Sequence, residues 1–214
     1  MIMKAAYIKQ YGDVENLIVG DVPKPSISAY QVLIKVKAAG VNPVDFHIRN
    51  GMLEDSGTHE LPLVLGWDAA GIVSEVGQHV TDFKLGDEVY VYSPLTEQGA
   101  HAEYLAVDAN FVAHKPASLS FIQSAAVPLA ALTALQALTT HGELQKGQQV
   151  LIHNASGGVG SFAVQIAKHM GAYVIATGSL AKKDFIMGLG ADEFIDYKQD
   201  DFEQHVFDMD LVFA

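Results

Sequence analysis

Short hydrophobic runs separated by turn-forming residues dominate the first half of the chain. The segment from Gln31 to Ala38 alternates in part between hydrophobic and polar side chains, which is typical of a half-buried strand. Runs of this kind predict strands at residues 3–8, 32–36, 71–76, 87–92 and 102–107. Strands at this spacing favour a compact β barrel or sandwich over about the first half of the chain.

The pattern becomes helical after Pro116. Ser120 and Gln123 have the spacing of a capping box, and the apolar helical sequence that follows is interrupted at Pro128. From Gly147 onward, runs of strand and helix character alternate, which indicates a parallel sheet. Strands are predicted at 150–152, 173–176, 193–197 and 210–213, and helices at 159–170, 183–189 and, as a short turn, 201–205.

The stretch from Val150 to Lys168 (VLIHNASGGVGSFAVQIAK) combines a buried strand, a turn of small residues and an amphipathic helix. These parts form the phosphate-binding start of a dinucleotide fold, in which N–H groups at the helix start point at the phosphates. Gly157 lets the backbone approach a pyrophosphate, and Gly160 lets the helix pack closely on the strand. Ala155 replaces the usual first glycine, so a glycine-rich turn in an unrelated α/β domain is the alternative. The predicted cofactor-binding residues of the turn are Ala155, Ser156, Gly157, Gly158, Val159 and Gly160.

Composition narrows the possible partners. The 214 residues include 13 Lys and Arg against 25 Asp and Glu, a formal net charge of -12. This balance argues against nucleic acid or an anionic membrane surface as the main partner. The chain has no cysteine, which excludes disulfides, thiolate metal sites and cysteine nucleophiles. No signal peptide and no membrane span is recognisable, so we expect a soluble, cytoplasmic protein.

The predicted parallel sheet is incomplete. A complete doubly wound dinucleotide domain has six strands in two halves, and four are predicted here. The chain stops at Ala214, at the end of the fourth strand. We therefore expect a truncated chain whose last strand forms an unprotected sheet edge.

Several motifs in one order along the chain resemble the medium-chain dehydrogenase/reductase superfamily. They are residues 39–45 (AGVNPVD), 65–71 (LGWDAAG), 127–134 (VPLAALTA), 150–160, 189–192 (LGAD) and 195–197 (IDY). They are most similar to the zinc-independent quinone oxidoreductase branch, which includes zeta-crystallin. The resemblance implies an α/β protein with a GroES-like β-barrel catalytic domain over 1–119 and an incomplete NADP-binding Rossmann domain over 120–214. It also implies a homodimer in full-length form, because the family's later Rossmann strands support dimerisation.

The same resemblance bears on metal binding. Zinc alcohol dehydrogenases of this superfamily carry a Cys ligand at the position of Asn42 and a His ligand at that of Trp67. Neither residue present here is a plausible zinc ligand, and catalytic zinc needs three protein ligands. The nine histidines are scattered, and the segment between Tyr92 and Tyr104 leaves no room for a four-cysteine zinc lobe. We therefore expect no metal site.

Without a metal, a reduced nicotinamide would deliver hydride to a quinone or an enone while the protein supplies orientation. The resemblance places Asn42 near the nicotinamide, where its amide would hydrogen-bond an acceptor carbonyl. The alternative is a turn residue before Pro43, since Asn-Pro is a turn signal. Thr133 resembles the family residue that contacts the nicotinamide end; the alternative is an ordinary threonine in an apolar helix.

Three further residues qualify this hypothesis. Asp45 and Asp68 are expected to organise the backbone rather than to act as acids in catalysis. Many quinone reductases of the family carry tyrosine where this chain has Phe46. That difference removes a hydroxyl from the substrate side and weakens the case for quinone itself.

The second predicted strand of the parallel sheet indicates which nicotinamide is used. An NAD site usually has Asp or Glu at the end of that strand, whereas residues 177–179 are Thr-Gly-Ser. Lys182 and Lys183 follow as the only adjacent basic pair, which favours the 2′-phosphate of NADP(H). The resemblance suggests Ser179, Lys183 and Tyr197 as its ligands. The alternative is that the lysines only solvate a helix start.

Three functional hypotheses follow from the sequence. The first is an NADPH-dependent, zinc-independent oxidoreductase that reduces quinones or α,β-unsaturated carbonyl compounds. The second is an alkenal or enone double-bond reductase with little quinone activity. The third is a non-catalytic nucleotide-binding structural or regulatory protein, because fold alone does not fix function.

Overall fold

The computed structural model describes residues 1–200 and 202–214. It separates into two compact units, Met1–Leu129 and Ala130–Ala214. Within the described ranges, no helix has the length and apolar character needed to cross a bilayer.

The first unit is built mainly from antiparallel strands. They are β1 (Ile2–Ile8), β2 (Ile18–Pro23), β3 (Gln31–Ala39), β4 (Leu63–Val64), β5 (Asp68–Val76), β6 (Glu88–Tyr92), β7 (Tyr104–Asp108) and β8 (Val112–His114). One sheet has the order β2-β1-β4, and a larger one has the order β7-β3-β5-β6-β8. The larger sheet bends at two register shifts between β3 and β5, as expected where an extra residue interrupts a ladder.

The core of the larger sheet explains its sequence pattern. Val32, Ile34, Val73, Val89 and Leu105 come from four different strands and are buried in one hydrophobic cluster. Burial of such side chains contributes about 1.5–3 kcal/mol each, which makes the hydrophobic alternation the main determinant of the strand register.

Two helices complete the first unit: α1 (Pro43–Arg49) and α2 (Phe121–Ala125). Helix α2 begins with the predicted capping box, in which the Gln123 N–H donates to Ser120 Oγ at 3.3 Å. It packs on β3 and β5 and so belongs to the first unit, whereas the sequence placed it after the boundary at residue 119. Helix α1 was not predicted, and neither were the short strands β2, β4 and β8.

The second unit contains a parallel sheet. Helix α3 (Pro128–Gln136) runs into it and ends in a π-helical turn (Ala137–His141), followed by β9 (Gln149–Ile152), α4 (Gly158–His169), β10 (Tyr173–Gly178), α5 (Lys183–Gly188), β11 (Glu193–Asp196) and β12 (Leu211–Phe213). The strand order is β11-β10-β9-β12, with every pair parallel. This is the order 3-2-1-4 of the first strands of a doubly wound dinucleotide fold. The predicted fold class is confirmed.

Helix α4 packs on this sheet through one apolar face, as its amphipathic sequence predicts. Ala163, Val164 and Ala167 are fully buried with the strand residues Val150 and Val174. Gly171 follows the helix with φ +85°, a left-handed conformation that glycine adopts without steric cost and that stops the helix. The predicted turn at 201–205 is a single 3₁₀ turn, Phe202–Gln204, and Asp201 lies outside the described residues.

Candidate active site

The turn between β9 and α4 is held by backbone hydrogen bonds. Ala155 N–H donates to the Thr177 carbonyl at 3.0 Å, and Gly157 N–H donates to the Asn154 carbonyl at 2.9 Å. Asn154 itself has φ 49°, a left-handed value that asparagine tolerates better than most residues. The turn therefore delivers the chain to Gly157, the N-cap of α4, at the carboxyl end of the sheet.

Gly160 packs against this turn so closely that a side chain would not fit. A Cβ atom there would lie 2.3 Å from the Asn154 carbonyl oxygen and 2.9 Å from the Ala155 Cα. Ala155, at the usual glycine position, is fully buried in the core of the sheet. A Cβ on Gly158, by contrast, would meet nothing within 4 Å. The first-turn N–H groups of α4 have no intrahelical acceptor and carry the positive end of the helix dipole, so this turn can hold a phosphate.

A second polar corner lies where β10 and β11 end. Gly178 and Asp196 are register partners, and Tyr197 N–H donates to the Gly178 carbonyl at 3.3 Å. Ser179 and Tyr197 therefore follow directly from paired residues at the same edge. Lys183 is the exposed first residue of α5, and its Nζ lies 5.9 Å from the ring centroid of Phe194 on β11. The three residues predicted for the 2′-phosphate therefore lie on or next to β10, β11 and α5, which contact one another in the second unit.

Asp196 is a residue of this corner that sequence reasoning missed. It is buried at the end of β11, and its Oδ1 accepts a hydrogen bond from Lys198 N–H at 3.1 Å. The carboxylate therefore closes a local turn. A carboxylate near the end of the predicted strand 193–197 was the available signal, because the carboxyl ends of parallel strands meet at one sheet edge.

In the first unit, Asn42 begins helix α1. Its backbone N–H donates to Asp45 Oδ2 at 2.8 Å, which is half of a capping box. Its side-chain Nδ2 donates to Asp68 Oδ2 at 2.9 Å. The other oxygen of Asp68 accepts the backbone N–H of Leu129 at 2.9 Å. Asn42 is therefore part of a buried polar network rather than an isolated turn residue.

His101 joins this network from the segment before β7. Its Nε2 lies 2.9 Å from the Gly40 carbonyl oxygen, which it can reach only as a donor, and 4.0 Å from Asp45 Oδ2. Sequence reasoning did not identify His101, because no local pattern shows that residues 40 and 101 are neighbours.

Burial controls the electrostatics of this network. It raises the pKa of Asp68 to about 6, although the hydrogen bonds from Asn42 and Leu129 oppose that rise. It also raises the pKa of Asp45, whose Oδ1 is buried without a hydrogen-bond partner among the described residues. The phenol pKa of Tyr92, the cross-strand partner of Asp68, is raised by burial and by both carboxylates.

The residues at the superfamily's zinc positions do not fit the metal. Asn42 uses its Nδ2 to donate to Asp68, and Trp67 uses its Nε1 to donate to the Glu97 carbonyl at 3.1 Å. An N–H donor offers no lone pair to a cation, and the Trp67 side chain is fully buried in an apolar cluster. In the part of the chain that the structure describes, no group of three His, Cys, Asp or Glu residues could hold a metal ion.

Two other residues from the sequence analysis, Thr133 and Phe46, are both exposed. Thr133 is exposed on α3 and belongs to the second unit, whereas Asn42 belongs to the first. Phe46, on the exposed side of α1, has its ring 4.5 Å from that of His47.

Two protein-family models match the chain in succession. Residues 28–117 match the alcohol dehydrogenase GroES-like domain, and residues 158–210 match the model described as zinc-binding dehydrogenase. The second match begins at Gly158, the first residue of α4, and includes neither Asn42 nor Trp67.

Individual relatives agree with these matches. The chain is 41% identical over 220 residues to the 2-methylene-furan-3-one reductase of Solanum lycopersicum, and 40% identical over 222 residues to the chloroplastic NADPH-dependent alkenal/one oxidoreductase of Arabidopsis thaliana. Each match covers 99% of this chain and 56% of the relative, so the chain spans about half the length of these curated relatives. A solved structure of the quinone oxidoreductase from Coxiella burnetii superposes with a TM-score of 0.88 at 38% identity, over 97% of this chain and 66% of that one.

Proposed function

This chain belongs to the medium-chain dehydrogenase/reductase superfamily, and on that premise we propose that it is an NADPH-dependent, zinc-independent oxidoreductase that transfers a hydride to quinones or α,β-unsaturated carbonyl compounds. The observation that carries the proposal is the strand–turn–helix of the second unit together with the polar corner formed by Ser179, Lys183 and Tyr197. A nicotinamide cofactor is supported by relatives whose names include it.

The preference for the phosphorylated cofactor rests on charge. Lys183 is exposed at the start of α5, and Lys182 precedes it in the chain. Ser179 follows β10, and Tyr197 follows β11. A phosphate on the ribose would meet these cationic and hydroxyl donors. The end of β10, where an NAD site usually has Asp or Glu, holds Thr177-Gly178-Ser179 instead. Ala155, Ser156, Gly157, Gly158, Val159 and Gly160 would hold the pyrophosphate.

The substrate class follows from the chemistry available. The bound cofactor would supply a hydride, and a quinone or conjugated carbonyl accepts hydride without a Lewis acid on an alcohol oxygen. Asn42 would donate an amide N–H to the carbonyl oxygen that gains negative charge, and Thr133 would contact the nicotinamide end. The product then takes one proton from water or from a protein donor to balance the reduction.

Within this class, the named activities of two relatives favour conjugated carbonyl compounds. One relative is an alkenal/one oxidoreductase and another a furanone reductase. Phe46 removes a hydroxyl from the substrate side, in agreement with a preference for enones over quinones. The non-catalytic alternative would retain cofactor binding and lose turnover.

A panel of acceptors tests the proposal. NADPH oxidation is followed at a fixed cofactor concentration with a benzoquinone, a naphthoquinone, an alkenal and a cyclic enone. Oxidation with enones but weakly with quinones selects the double-bond reductase. Cofactor binding without oxidation of NADPH by any acceptor selects the nucleotide-binding alternative and contradicts the enzymatic proposal.

Location and assembly are also proposals. We expect a cytoplasmic protein because the chain has no cysteine, although relatives include mitochondrial and chloroplastic proteins. We expect a homodimer for the full-length protein, with no nucleic-acid or membrane partner. Fractionation and light scattering of the full-length protein test the two expectations.

A further inference from the structure

Asp68 uses both of its side-chain oxygens as acceptors. Oδ2 accepts from the Asn42 side chain and Oδ1 from the Leu129 backbone, each at 2.9 Å, and the residue is only 1% exposed. An ionised carboxylate can satisfy both donors, whereas an asparagine has one acceptor oxygen and would lose one of the two bonds. The position therefore requires a carboxylate rather than any polar residue of the same size.

The charge on Asp68 fixes which end of the Asn42 carboxamide faces it. Only the NH₂ group can donate to a carboxylate, since the opposite orientation would place two acceptor oxygens against each other. An NH₂ group carries two hydrogens, and Asp68 takes one of them. Asp68, which also accepts the backbone N–H of Leu129, then holds the second N–H of Asn42 at a defined position.

We propose that Asp68 is a positioning residue whose carboxylate orients the Asn42 carboxamide as a hydrogen-bond donor toward the carbonyl oxygen of the acceptor. This inference rests on the proposed function, because it takes Asn42 as the group that contacts the acceptor. Asp68 itself acts only through Asn42.

The orientation of the Asn42 carboxamide should depend on pH. The titratable groups that face Asp68 are Asp45 on α1 and Tyr92 on β6, and His101 acts on the network through Asp45. Helix α2, which packs on the same strand, contains no titratable side chain. Below about pH 6, Asp68 gains a proton, and one of its two oxygens becomes an O–H donor. The nearest carboxamide oxygen is that of Asn42, so the amide would turn over and cease to present its N–H.

Exchanging the two residues separates positioning from structural support. In the double variant Asn42→Asp/Asp68→Asn, the new amide at 68 accepts from Leu129 and donates to the new carboxylate at 42. Both hydrogen bonds and the total charge are kept, but the side chain at position 42 no longer has an N–H. We expect NADPH to bind within about threefold of wild type. The kcat with an enone should fall roughly tenfold to a hundredfold, because the loss of a charge-assisted hydrogen bond has an effect of that size. A double variant with wild-type kcat would overturn the proposal.

A second measurement does not depend on turnover. In wild-type protein with ¹³C-labelled Asp and ¹⁵N-labelled Asn side chains, the Asn42 NH₂ resonances should move with the same midpoint near pH 6 as the Asp68 carboxyl. In Asp68→Asn, the Asn42 resonances should not move in that range. If the Asp68 carboxyl titrates while the Asn42 resonances of wild type stay fixed, the positioning role is wrong even when the double variant fails to fold.

Two results distinguish failure of the positioning role from failure of the proposed function. Absence of NADPH oxidation by wild type with every acceptor would refute the enzymatic proposal and with it the catalytic purpose of the positioning. Turnover by wild type, with a kcat that does not fall below pH 6, would leave the enzymatic proposal standing and refute the role of Asp68.

Discussion

The carboxylate of Asp68 is costly to keep ionised inside the first unit. Its pKa of about 6, in place of the ordinary 3.8, corresponds to about 3 kcal/mol at neutral pH. Because the folded pKa is the higher one, the folded state binds the proton more tightly than the unfolded state. Asp68 therefore favours folding most below pH 3.8, and this contribution is lost as the pH rises through 6.

Replacement of Asp68 by asparagine should remove this pH dependence. Between about pH 4 and about pH 7, the unfolding free energy of wild type relative to Asp68→Asn should fall by about 2.5 kcal/mol. Trp67, the only tryptophan, is fully buried beside Asp68, so its fluorescence during urea unfolding reports on this unit. A difference that stays constant with pH would mean that Asp68 titrates normally.

Sequence reasoning identified some residues of the candidate site and missed others for a physical reason. The expectation that Asp45 and Asp68 organise the backbone agrees with their hydrogen bonds to Asn42 and Leu129. His101 was missed because its contact with Gly40 spans 61 residues and leaves no local pattern. The roles predicted for Asn42 and Thr133 rest on the family resemblance and stay predictions.

At the scale of elements, the strand–turn–helix of the second unit leaves no space for a side chain at Gly160. The backbone of the turn and that of α4 approach more closely than any Cβ allows, so the glycine is fixed by sterics rather than by flexibility. Gly158 lies two residues earlier on the same helix in open space. Alanine substitutions at Gly160 and Gly158 therefore compare a crowded position with an open one on the same helix.

Gly160→Ala should destabilise the second unit by about 1–3 kcal/mol or more, because the added methyl overlaps backbone atoms that cannot move away cheaply. Gly158→Ala should leave stability unchanged or raise it by about 0.4–1 kcal/mol, since alanine restricts the unfolded chain. Hydrogen exchange of the β9 and β10 amides measures both effects. Equal protection in the two variants would contradict the close-packing argument.

The elements differ in how readily the sequence reveals them. The parallel strands and α4 were predicted because their hydrophobic periodicity is strong and their ends carry glycine. Helix α1 is not evident from the sequence because Asn42-Pro43 is also a turn signal, although proline is favoured in the first turn of a helix. The two-residue strand β4 is too short to show any period.

At the scale of the whole molecule, the family and both fold types followed from motifs in one order along the chain. The strand order β11-β10-β9-β12 is what alternating strands and helices imply. The division into units did not follow as closely, because helix α2 is joined to the first unit by packing on β3 and β5 that no motif displays.

The protein should contain no stoichiometric zinc. The groups at the superfamily's ligand positions, Asn42 and Trp67, act as hydrogen-bond donors here. Elemental analysis of protein purified without a metal-affinity step measures this directly. One zinc per chain, with loss of NADPH oxidation after chelation, would contradict the expectation.

We propose that this acidic chain carries a local cationic site for the 2′-phosphate of NADPH. The net charge of -12 repels a dinucleotide at long range, so the preference must come from groups at the corner itself. Lys183 lies there over Phe194, and Lys182 provides a neighbour of equal charge for comparison.

The most direct test is the dissociation constant of NADPH and of NADH for wild type, Lys183→Ala and Lys182→Ala at one stated ionic strength, because salt screens exposed charges. Wild type should bind NADPH more tightly than NADH. Lys183→Ala should weaken NADPH binding roughly tenfold to a hundredfold and leave NADH nearly unchanged, with a smaller effect for Lys182→Ala. Equal losses for both cofactors on Lys183→Ala, or tighter binding of NADH by wild type, would contradict the assignment.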